Sequence, residues 1–432
     1  MKTKISKLIK DFLGIIAVIA MSTLIGTILL IVVYMLPVQN MYKNASETAS
    51  TLMSEGDYYM WIPSDRTSQS DNFTDALMIQ TAIYNGTESF VDKAMMNPRT
   101  SYEGSSIIEN LEKTVNNERG GVRTTYARYW HGYLIILKPL LLLFNYSSIR
   151  WINTVVSCFL VAVILIGFYK YFKDFRYALA FTSSIVFLNP VVMRASLQFN
   201  TVFYVIMFEY IIALYQGEVL EKTKKFNLIF LLSGILVAFF DLLTYPIAAL
   251  GMLLILQFLM FESNIVNNIT RMIKSSIIWG MGYGGMWSSK WIIATLLTGE
   301  NAISDAIENA KFRTGTNVGS GSTFSVLGML KNNFFWFDGQ SAILFKILIL
   351  TIIMVVIILC LMKKIKIEIN ILHIIMLLLF CLIPIGRYMI LKNHSFIHGF
   401  ITYREGMVYV MAGVCLILDC IKSFDKRGEI TV

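Results

Sequence analysis

Long, uncharged apolar stretches limit the folds that are open to this sequence. Several run for eighteen or more residues, the length at which a segment is read as crossing a membrane. Lipid offers no partner to backbone N–H and C=O groups, so such segments must form helices or a closed barrel. Barrel strands alternate apolar and polar residues, whereas these stretches are continuously apolar. With 56% hydrophobic and 15% charged residues and a mean hydropathy of +0.62, the chain is predicted to be an all-α polytopic membrane protein.

The basic residues predict how these helices are oriented. Lys2, Lys4, Lys7 and Lys10 precede the first stretch, 12–36, and predict that the N-terminus lies in the cytoplasm. That stretch is too long for a signal peptide's apolar region, so it is predicted to remain as the first span. Nine further spans are predicted, at about 149–169, 177–193, 199–216, 227–241, 243–261, 276–297, 341–362, 369–391 and 405–421.

This count gives about ten transmembrane helices with both termini in the cytoplasm of a multi-pass cell-membrane protein. Each inner loop is then short and basic, as the positive-inside rule requires. The basic residues concerned are Lys170, Lys173 and Arg176, then Lys222, Lys224 and Lys225, then Arg271 and Lys274, then Lys363, Lys364 and Lys366, then Lys422, Lys426 and Arg427.

Residues 1–432 are predicted to form a single membrane domain with two polar extracytoplasmic loops, 37–148 and 298–340. The first loop is expected to contain juxtamembrane helices. Its apolar run 132–144 has about thirteen residues, fewer than the ~20 that cross a bilayer, and is predicted to be a surface helix. The second loop includes the Gly/Ser/Thr run at 314–323, which is typical of a flexible loop over a cleft or of a plain connector.

Charge and cysteine content narrow the possible partners. The net charge of +9 comes mostly from the predicted inner loops and suits an anionic lipid surface. Membrane lipids are therefore expected partners. Nucleic acid is not, since the chain has no basic soluble domain with interleaved aromatic residues. The five cysteines lie in or beside predicted spans without metal-type spacing, so we expect neither disulfides nor a zinc site from them.

Two carboxylates of the first loop are the leading candidates for chemistry. In DNFTDALMIQTAIYNG, at 71–86, Asp71 is suited to cap a helix, and helical spacing puts Asp75 on the same face. The pair suits an acid/base site or a divalent-metal site. The structural alternative is that Asp71 only caps a surface helix and Asp75 faces water one turn later. Asp57 and Asp65 are competing candidates nearby.

An ordered series of features follows between residues 129 and 200. It comprises a surface-helix start, a short polar step, an Arg that opens a span, a basic inner turn, and a Pro followed by an Arg. These are Trp130-His131-Gly132-Tyr133, 145–148, Arg150, 170–176, Pro190 and Arg194.

This order resembles the first half of the GT-C glycosyltransferases, polytopic enzymes of the protein-mannosyltransferase and aminoarabinose-transferase type. Those enzymes also carry an acidic motif in a long first outer loop. The chain departs from their pattern by lacking the Pro-Pro pair of the surface helix. It also has Gln198 or Asn200 where the family has an acidic residue.

The resemblance implies transfer of a sugar from a polyprenyl-phosphate donor to a cell-wall, lipid or glycan acceptor on the outer face of the membrane. Such a transfer needs a base for the acceptor's proton. It also needs cations or a divalent metal to stabilise the departing phosphate. A single inverting displacement needs no enzyme nucleophile. Asp71 is then expected as the base, with Asp75 assisting it or binding the metal; no other cofactor is expected.

Seven basic and imidazole side chains near predicted outer span ends are candidates for binding the sugar phosphate. Lys290 lies inside a predicted span, where an unpaired charge is costly, so it either binds substrate or pairs with Asp241. The alternative for the two arginines at 387 and 404 is to reach the interface for solvation. The histidines at 394 and 398 have the spacing of some zinc sites but no evident third ligand. Interfacial packing is the alternative for all three histidines. The seven are His131, Arg194, Lys290, Arg387, His394, His398 and Arg404.

Other classes of function stay open. A transporter or flippase for lipid-linked saccharides would also have many spans, but the sequence has no half-to-half repeat and no paired Gly/Pro-broken spans. An O-antigen-type polymerase or ligase would carry its large polar loop late in the chain, whereas the larger loop here comes first. A non-catalytic scaffold is the remaining alternative. Only a glycosyltransferase requires Asp71 for turnover while leaving folding intact.

Overall fold

The computed structural model of the protein describes residues 2–318, 323–334, 339–362, 365–424 and 430–431. Several predictions fall outside the described residues, namely the basic residues Lys363, Lys364, Lys426 and Arg427 and the centre of the Gly/Ser/Thr run at 319–322. The protein is mostly helical, at 76% of its residues, as the apolar stretches predict.

The described residues form twenty α-helices. They are α1 (Lys2–Tyr34), α2 (Gln39–Glu55), α3 (Asn72–Ala82), α4 (Phe90–Met96), α5 (Ile107–Val115), α6 (Leu134–Leu143), α7 (Tyr146–Phe172), α8 (Arg176–Phe187), α9 (Pro190–Ala195), α10 (Leu197–Lys222), α11 (Asn227–Phe240), α12 (Ile247–Met260), α13 (Ile265–Thr298), α14 (Ala302–Thr314), α15 (Val326–Phe334), α16 (Gly339–Leu361), α17 (Ile371–Ile390), α18 (Lys392–Ile397), α19 (Gly399–Thr402) and α20 (Met407–Cys420). Two 3-10 turns occur at Arg66–Ser68 and Tyr403–Gly406.

Five helical stretches in the described part of the chain are long and apolar enough to cross a membrane. They are Ile9–Tyr34, Tyr146–Phe172, Leu197–Lys222, Ile371–Ile390 and Gly399–Cys420. Helices α6, α11 and α12 are apolar but shorter, below the ~20 residues that a bilayer needs. Helix α6 occupies the run where the sequence predicts a helix too short to cross. The protein is therefore a helical membrane protein by these five stretches, and the count of ten spans stays a prediction.

The strands are few and short among the described residues. Strands β1 (Arg99–Ser101) and β2 (Val122–Thr124) pair antiparallel within the first loop. Near the C-terminus, β3 (Ile365–Ile367), β4 (Ile421–Phe424) and β5 (Ile430–Thr431) form an antiparallel sheet in the order β3-β4-β5. These two small sheets are additions that the all-α prediction omits.

The first loop, 37–148, folds as a helical unit whose apolar core continues into α1, α11 and α13. Helices α3 and α6 pack against α2, which also packs on α5. A capping box at Ser106 and Glu109 starts α5, each side chain bonding the other's backbone N–H. The buried apolar residues that the helices of this unit share include Met41, Ala45, Leu52, Ala76, Ile79, Ile108, Leu111, Leu134 and Leu137. The loop is therefore a rigid platform for Asp71 and Asp75, which lie in and beside α3.

The second loop, 298–340, contains helices α14 and α15 on either side of the Gly/Ser/Thr run, and the role of that run as a flexible loop or a connector stays a prediction. Both helices pack against α18. The Asn333 side chain donates to the Ser395 carbonyl at 2.8 Å and accepts from the Thr402 hydroxyl at 2.5 Å. These bonds hold the end of α15 against the residues that follow α17.

The predicted span 177–193 is broken, and a single continuous helix there is wrong. Asn189 lies between α8 and α9 with a φ of 59°, a left-handed conformation that Asn tolerates better than most residues. Its side chain donates to the Thr67 hydroxyl at 2.9 Å in the first loop. Pro190 then opens α9 at a position where its missing N–H costs nothing. The break ties this part of the membrane region to the first loop.

Helices α11 and α13 approach each other backbone to backbone at two glycines. A Cβ on Gly234 would lie 2.3 Å from the Trp279 carbonyl oxygen, and a Cβ on Gly282 would lie 2.4 Å from that of Leu231. Small residues permit this close approach between membrane helices. By contrast, a Cβ on Gly284 would meet nothing within 4 Å.

We expect Gly234→Ala to lower the thermal unfolding temperature in detergent. The added methyl meets backbone, which cannot rotate away, and overpacking of this kind costs about 1–3 kcal/mol. Gly284→Ala is the matched control, because it adds the same methyl to α13 in open space and should leave the unfolding temperature unchanged or slightly raised. Equal unfolding temperatures for the two variants would contradict this packing.

Candidate active site

Asp71 lies at the start of α3 and caps it, as the sequence predicts. Its Oδ1 accepts from the Thr74 N–H at 3.1 Å. The backbone on either side is fixed by bonds from Ser70 N to Tyr59 O and from Phe73 N to Asp57 O. Asp71 is only 2% exposed, so the structural alternative of a cap on a solvated surface helix does not describe it.

Burial sets the proton affinity of Asp71. Removal from water raises the pKa of its carboxyl from 3.8 to about 7. The Thr74 N–H lowers this pKa, the nearby Asp75 carboxylate raises it, and the positive charge of Arg404 lowers it. A carboxyl with a pKa near neutrality can both take and release a proton at physiological pH.

Arg404 is the cation whose charge lowers the pKa of Asp71. Two of its guanidinium nitrogens have no hydrogen-bond partner among the described residues. Its Nη1 donates to the Phe400 carbonyl at 2.5 Å, and its guanidinium lies 3.7 Å from the Phe199 ring centroid. Nε and Nη2 are buried without a partner. Buried arginine donors are normally satisfied, so these two are the donors most available to an anion. Arg404 is fully buried rather than extended to the interface.

Asp75 differs from Asp71 because it binds the start of another helix, α10. Its Oδ2 accepts from the Leu197 N–H at 2.8 Å and from the Tyr146 hydroxyl, and its Oδ1 accepts from the Gln198 N–H at 3.0 Å. These are the first N–H groups of α10, which a helix leaves without internal partners. Burial raises the pKa of Asp75 to about 6, against the opposing effect of these bonds and of Arg150. The alternative in which Asp75 faces water is wrong, since it is 0% exposed.

Arg387 is bound by protein groups on most sides. Its Nε lies 3.1 Å from Glu405 Oε1, and its Nη2 donates to the carbonyls of Thr244 at 3.1 Å and Leu243 at 3.3 Å. Leu243 has a φ of 68°, an uncommon conformation for a leucine and a mark of local strain. Arg387 therefore stabilises a strained turn. Among the described residues its Nη1 has no partner, and its Nε faces Glu405 without a hydrogen bond.

His394 and His398 lie on the same side of this turn. Their ring centroids are 4.7 Å apart. His394 Nε2 donates to the Leu243 carbonyl at 2.8 Å, and its Nδ1 is buried without a partner in the described part of the chain. His398 Nε2 lies 3.0 Å from Arg313 Nη1 of α14. Burial lowers the pKa of both rings, with Arg313 and Arg387 adding to the effect, and that of His398 falls to about 4. Both histidines are therefore neutral at pH 7.

Arg194 occupies a separate position at the edge of the first loop. Its guanidinium lies 5.5 Å from the Trp61 ring and 5.4 Å from the Trp151 ring. Trp61 also faces Arg150, whose nitrogens bind Glu55 at 2.6 and 2.8 Å. Arg194 is partly exposed, and aromatic stacking leaves the edge of its guanidinium free for an anion.

Lys290 and His131 lie apart from Asp71 and Arg404, with their polar atoms already bound. Lys290 Nζ donates to the Met95 carbonyl at 2.7 Å and to Asn97 Oδ1 at 2.9 Å, at the end of α4. It does not contact Asp241, the alternative partner. His131 is fully buried, with Nδ1 2.9 Å from the Tyr133 hydroxyl and Nε2 3.0 Å from a backbone carbonyl. Burial, aided by Lys290, lowers its pKa.

Metal binding has no preformed cage in the described part of the chain, where no three His, Cys, Asp or Glu side chains converge as ligands. The two oxygens of Asp75 are taken by protein donors. The possible divalent metal of the sequence analysis therefore stays a prediction without an identified ligand set.

Sequence reasoning missed the partners of two carboxylates near these cations, since it weighed Asp241 as a partner for Lys290 alone. Glu405 follows Arg404 directly and pairs with Arg387. Asp241 accepts from the Thr244 N–H at 2.9 Å and from the Thr201 hydroxyl at 3.1 Å. The signal was present, because a carboxylate at the edge of an apolar span is costly without a partner.

No protein-family model, curated protein or solved structure matches this chain. The likeness to GT-C glycosyltransferases is therefore carried by the order of features between residues 129 and 200 alone.

We expect Asp75→Asn to destabilise the protein by about 1–3 kcal/mol, because an amide nitrogen would replace an oxygen that accepts from Tyr146 and the start of α10. Asp71→Asn is the matched control, since Asn caps a helix as well as Asp. Thermal unfolding in detergent measures both. A control that unfolds as early as Asp75→Asn would show that the two carboxylates share one structural role.

Proposed function

We propose that the protein is a GT-C-like membrane glycosyltransferase that moves a sugar from a polyprenyl-phosphate donor to a hydroxyl of a cell-envelope acceptor. The observation that carries the proposal is that Asp71 and Arg404 are both buried and close enough for the charge of Arg404 to lower the pKa of Asp71. Asp71 has a pKa of about 7 and accepts from the N–H and the side chain of Thr74, and Arg404 has two nitrogens without a hydrogen-bond partner among the described residues. A base and an anion-binding cation are the two groups that this reaction needs.

In the proposed reaction the acceptor oxygen attacks the anomeric carbon as the bond from that carbon to the phosphate oxygen breaks. The acceptor's proton passes to the Asp71 carboxylate, and the polyprenyl phosphate leaves with the bonding electrons. The buried setting of Asp71 supports this role, because exclusion of water strengthens the electrostatic interactions within the site and limits hydrolysis of the donor.

Arg404 and Arg194 are the proposed phosphate-binding groups. Arg404 offers Nε and Nη2 beside Asp71, where they would stabilise the leaving phosphate. Arg194, stacked between Trp61 and Trp151, lies at a partly exposed edge and suits an approaching lipid phosphate. His394 and His398 are neutral and suit hydrogen bonds to the sugar or its acceptor.

The proposed topology has ten spans in the cell membrane, both termini in the cytoplasm, and the loops 37–148 and 298–340 on the outer face. Each predicted span coincides with helical residues, counting α8 with α9 and α19 with α20 as one span each. Asp71 and Arg404 then meet at the outer boundary, which a polyprenyl-phosphate sugar reaches from the lipid. The acceptor is proposed to be a cell-wall, lipid or glycan hydroxyl on that face.

We expect Asp71→Asn to reduce sugar transfer by about 10²–10⁴-fold, the range that general-base catalysis provides. The purified protein in detergent is incubated with a panel of polyprenyl-phosphate sugars and a cell-envelope extract as the acceptor, and released polyprenyl phosphate is measured. Asp57→Asn is the matched control, because Asp57 lies close by in the same loop but holds α3 through its backbone carbonyl. Its transfer rate should match the wild type.

Three outcomes of this assay would contradict the proposal. Full activity of Asp71→Asn would remove Asp71 from the site, and loss of activity in Asp57→Asn alone would move the base there. No release from any donor by folded wild-type protein would favour the transporter or scaffold classes instead.

Transfer should also depend on pH through Asp71. The rate is expected to rise with pH up to about 7 and then level off, because only the deprotonated carboxylate accepts the proton.

Folding stability should change in the opposite direction. A carboxyl whose folded pKa is raised stabilises the fold below pH 4, and that contribution is lost as the pH rises to about 7. Initial rates and unfolding temperatures across pH 4–9 measure both trends, and a flat rate profile would contradict the role of Asp71.

A further inference from the structure

Glu209 is a buried carboxyl in the middle of a membrane-crossing helix. It is the thirteenth residue of the stretch Leu197–Lys222, about 18 Å from either end at the rise of an α-helix. It is 3% exposed, and apart from the Ser233 hydroxyl beside it the carboxyl has no hydrogen-bond partner among the described residues. An ionisable group at this depth is costly and is usually kept for a function.

A cavity of about 220 Å³ opens beside Glu209, between α10 and α11. Its wall is apolar apart from Glu209 and Ser233. Phe208 is 51% exposed on the outside of the protein, and Ile212 and Leu232 are also exposed. In a membrane these faces meet lipid, so the cavity is open to the hydrocarbon region.

The hydrogen bonds that the Glu209 carboxyl can make indicate which kind of ligand would fit the cavity. An isolated carboxylate in hydrocarbon is so costly that the neutral acid is favoured. Ser233 lies beside the carboxyl and accepts from the Trp279 indole N–H at 3.1 Å, so its own hydroxyl hydrogen is free to donate to Glu209. The acid O–H of Glu209 is then still without an acceptor. A ligand that completes this site must bring an acceptor oxygen and no charge.

We propose that this cavity binds an uncharged membrane-soluble lipid that carries a carbonyl group, with the carbonyl oxygen accepting from Glu209. The depth of Glu209 excludes a phospholipid headgroup, which stays at the interface. The volume is below the roughly 300–1,000 Å³ of pockets that enclose a drug-sized ligand, so it holds a carbonyl and a short length of alkyl chain. This site is separate from Asp71 and does not depend on the proposed transferase activity.

Dicyclohexylcarbodiimide tests the accessibility of the neutral acid from lipid. The acid adds across a C=N bond of this lipid-soluble reagent, its proton going to nitrogen and its oxygen to carbon, and an acyl shift to nitrogen leaves a stable adduct without any further reactant. The full-length protein in liposomes is treated and digested, and the peptide that contains Glu209 is weighed by mass spectrometry. We expect the adduct on Glu209 and its absence from Glu209→Gln.

Competition between a ketone and the carbodiimide tests whether the cavity recognises a carbonyl group. Pre-incubation with 2-tridecanone is expected to slow labelling of the wild type about fivefold relative to the same concentration of tridecane, the ratio expected from one net hydrogen bond. The alkane is the matched control because it has the same chain without the oxygen. The wild-type comparison stands without any variant, so it does not depend on how Glu209→Gln folds.

Two results would overturn the proposal. Failure of the folded wild type to label would show that the cavity is closed to lipid. Equal protection by ketone and alkane would show that apolar packing alone fills the cavity and that Glu209 does not recognise a carbonyl. Both readouts are independent of sugar transfer, so failure of the proposed function leaves them unaffected.

Discussion

The contact between Asp75 and the start of α10 determines where the first loop lies on the membrane helices. The first N–H groups of α10 have no partner within their own helix and are buried, so an acceptor must come from elsewhere. Asp75 supplies it through bonds to Leu197 and Gln198. Because Asp75 lies one turn into α3, the same contact brings the beginning of that helix, and Asp71 with it, to the site occupied by Arg404.

Two carboxylates four residues apart thus differ in the number of donors they meet. Asp75 accepts from two backbone N–H groups and the Tyr146 hydroxyl, so its lone pairs are in use. Asp71, also buried, accepts from the N–H and the side chain of one residue, Thr74. Loss of water without replacement by donors is what raises the pKa of a carboxyl. A structural anchor and a candidate base can therefore share one short helix.

The sequence predicted what depends on neighbours along the chain. The cap at Asp71, the short helix at 132–144 and five of the long apolar helices follow from local spacing, and the structure contains them. It did not predict what depends on distant partners. Asp75 bonds residues more than a hundred positions away, and Lys290 bonds carbonyls at the end of α4. Asn189 breaks a helix in favour of a bond to Thr67, and no local pattern contains that partner.

The turn between α11 and α12 shows why the polar groups cluster there. Both helices are shorter than a bilayer, and the turn 241–246 is buried. Irregular backbone at membrane depth requires protein partners for its carbonyls. The carbonyl oxygen of Leu243, in the strained part of the turn, accepts hydrogen bonds from Arg387 and His394. The Glu405 carboxylate balances the charge of Arg387. The cost of burying these charges is offset by the backbone groups that they satisfy. This accounts for the contacts of Arg387 Nε and Nη2 without any substrate. It leaves Arg387 Nη1 and Arg404 Nε and Nη2 as buried donors that the contacts among the described residues do not satisfy.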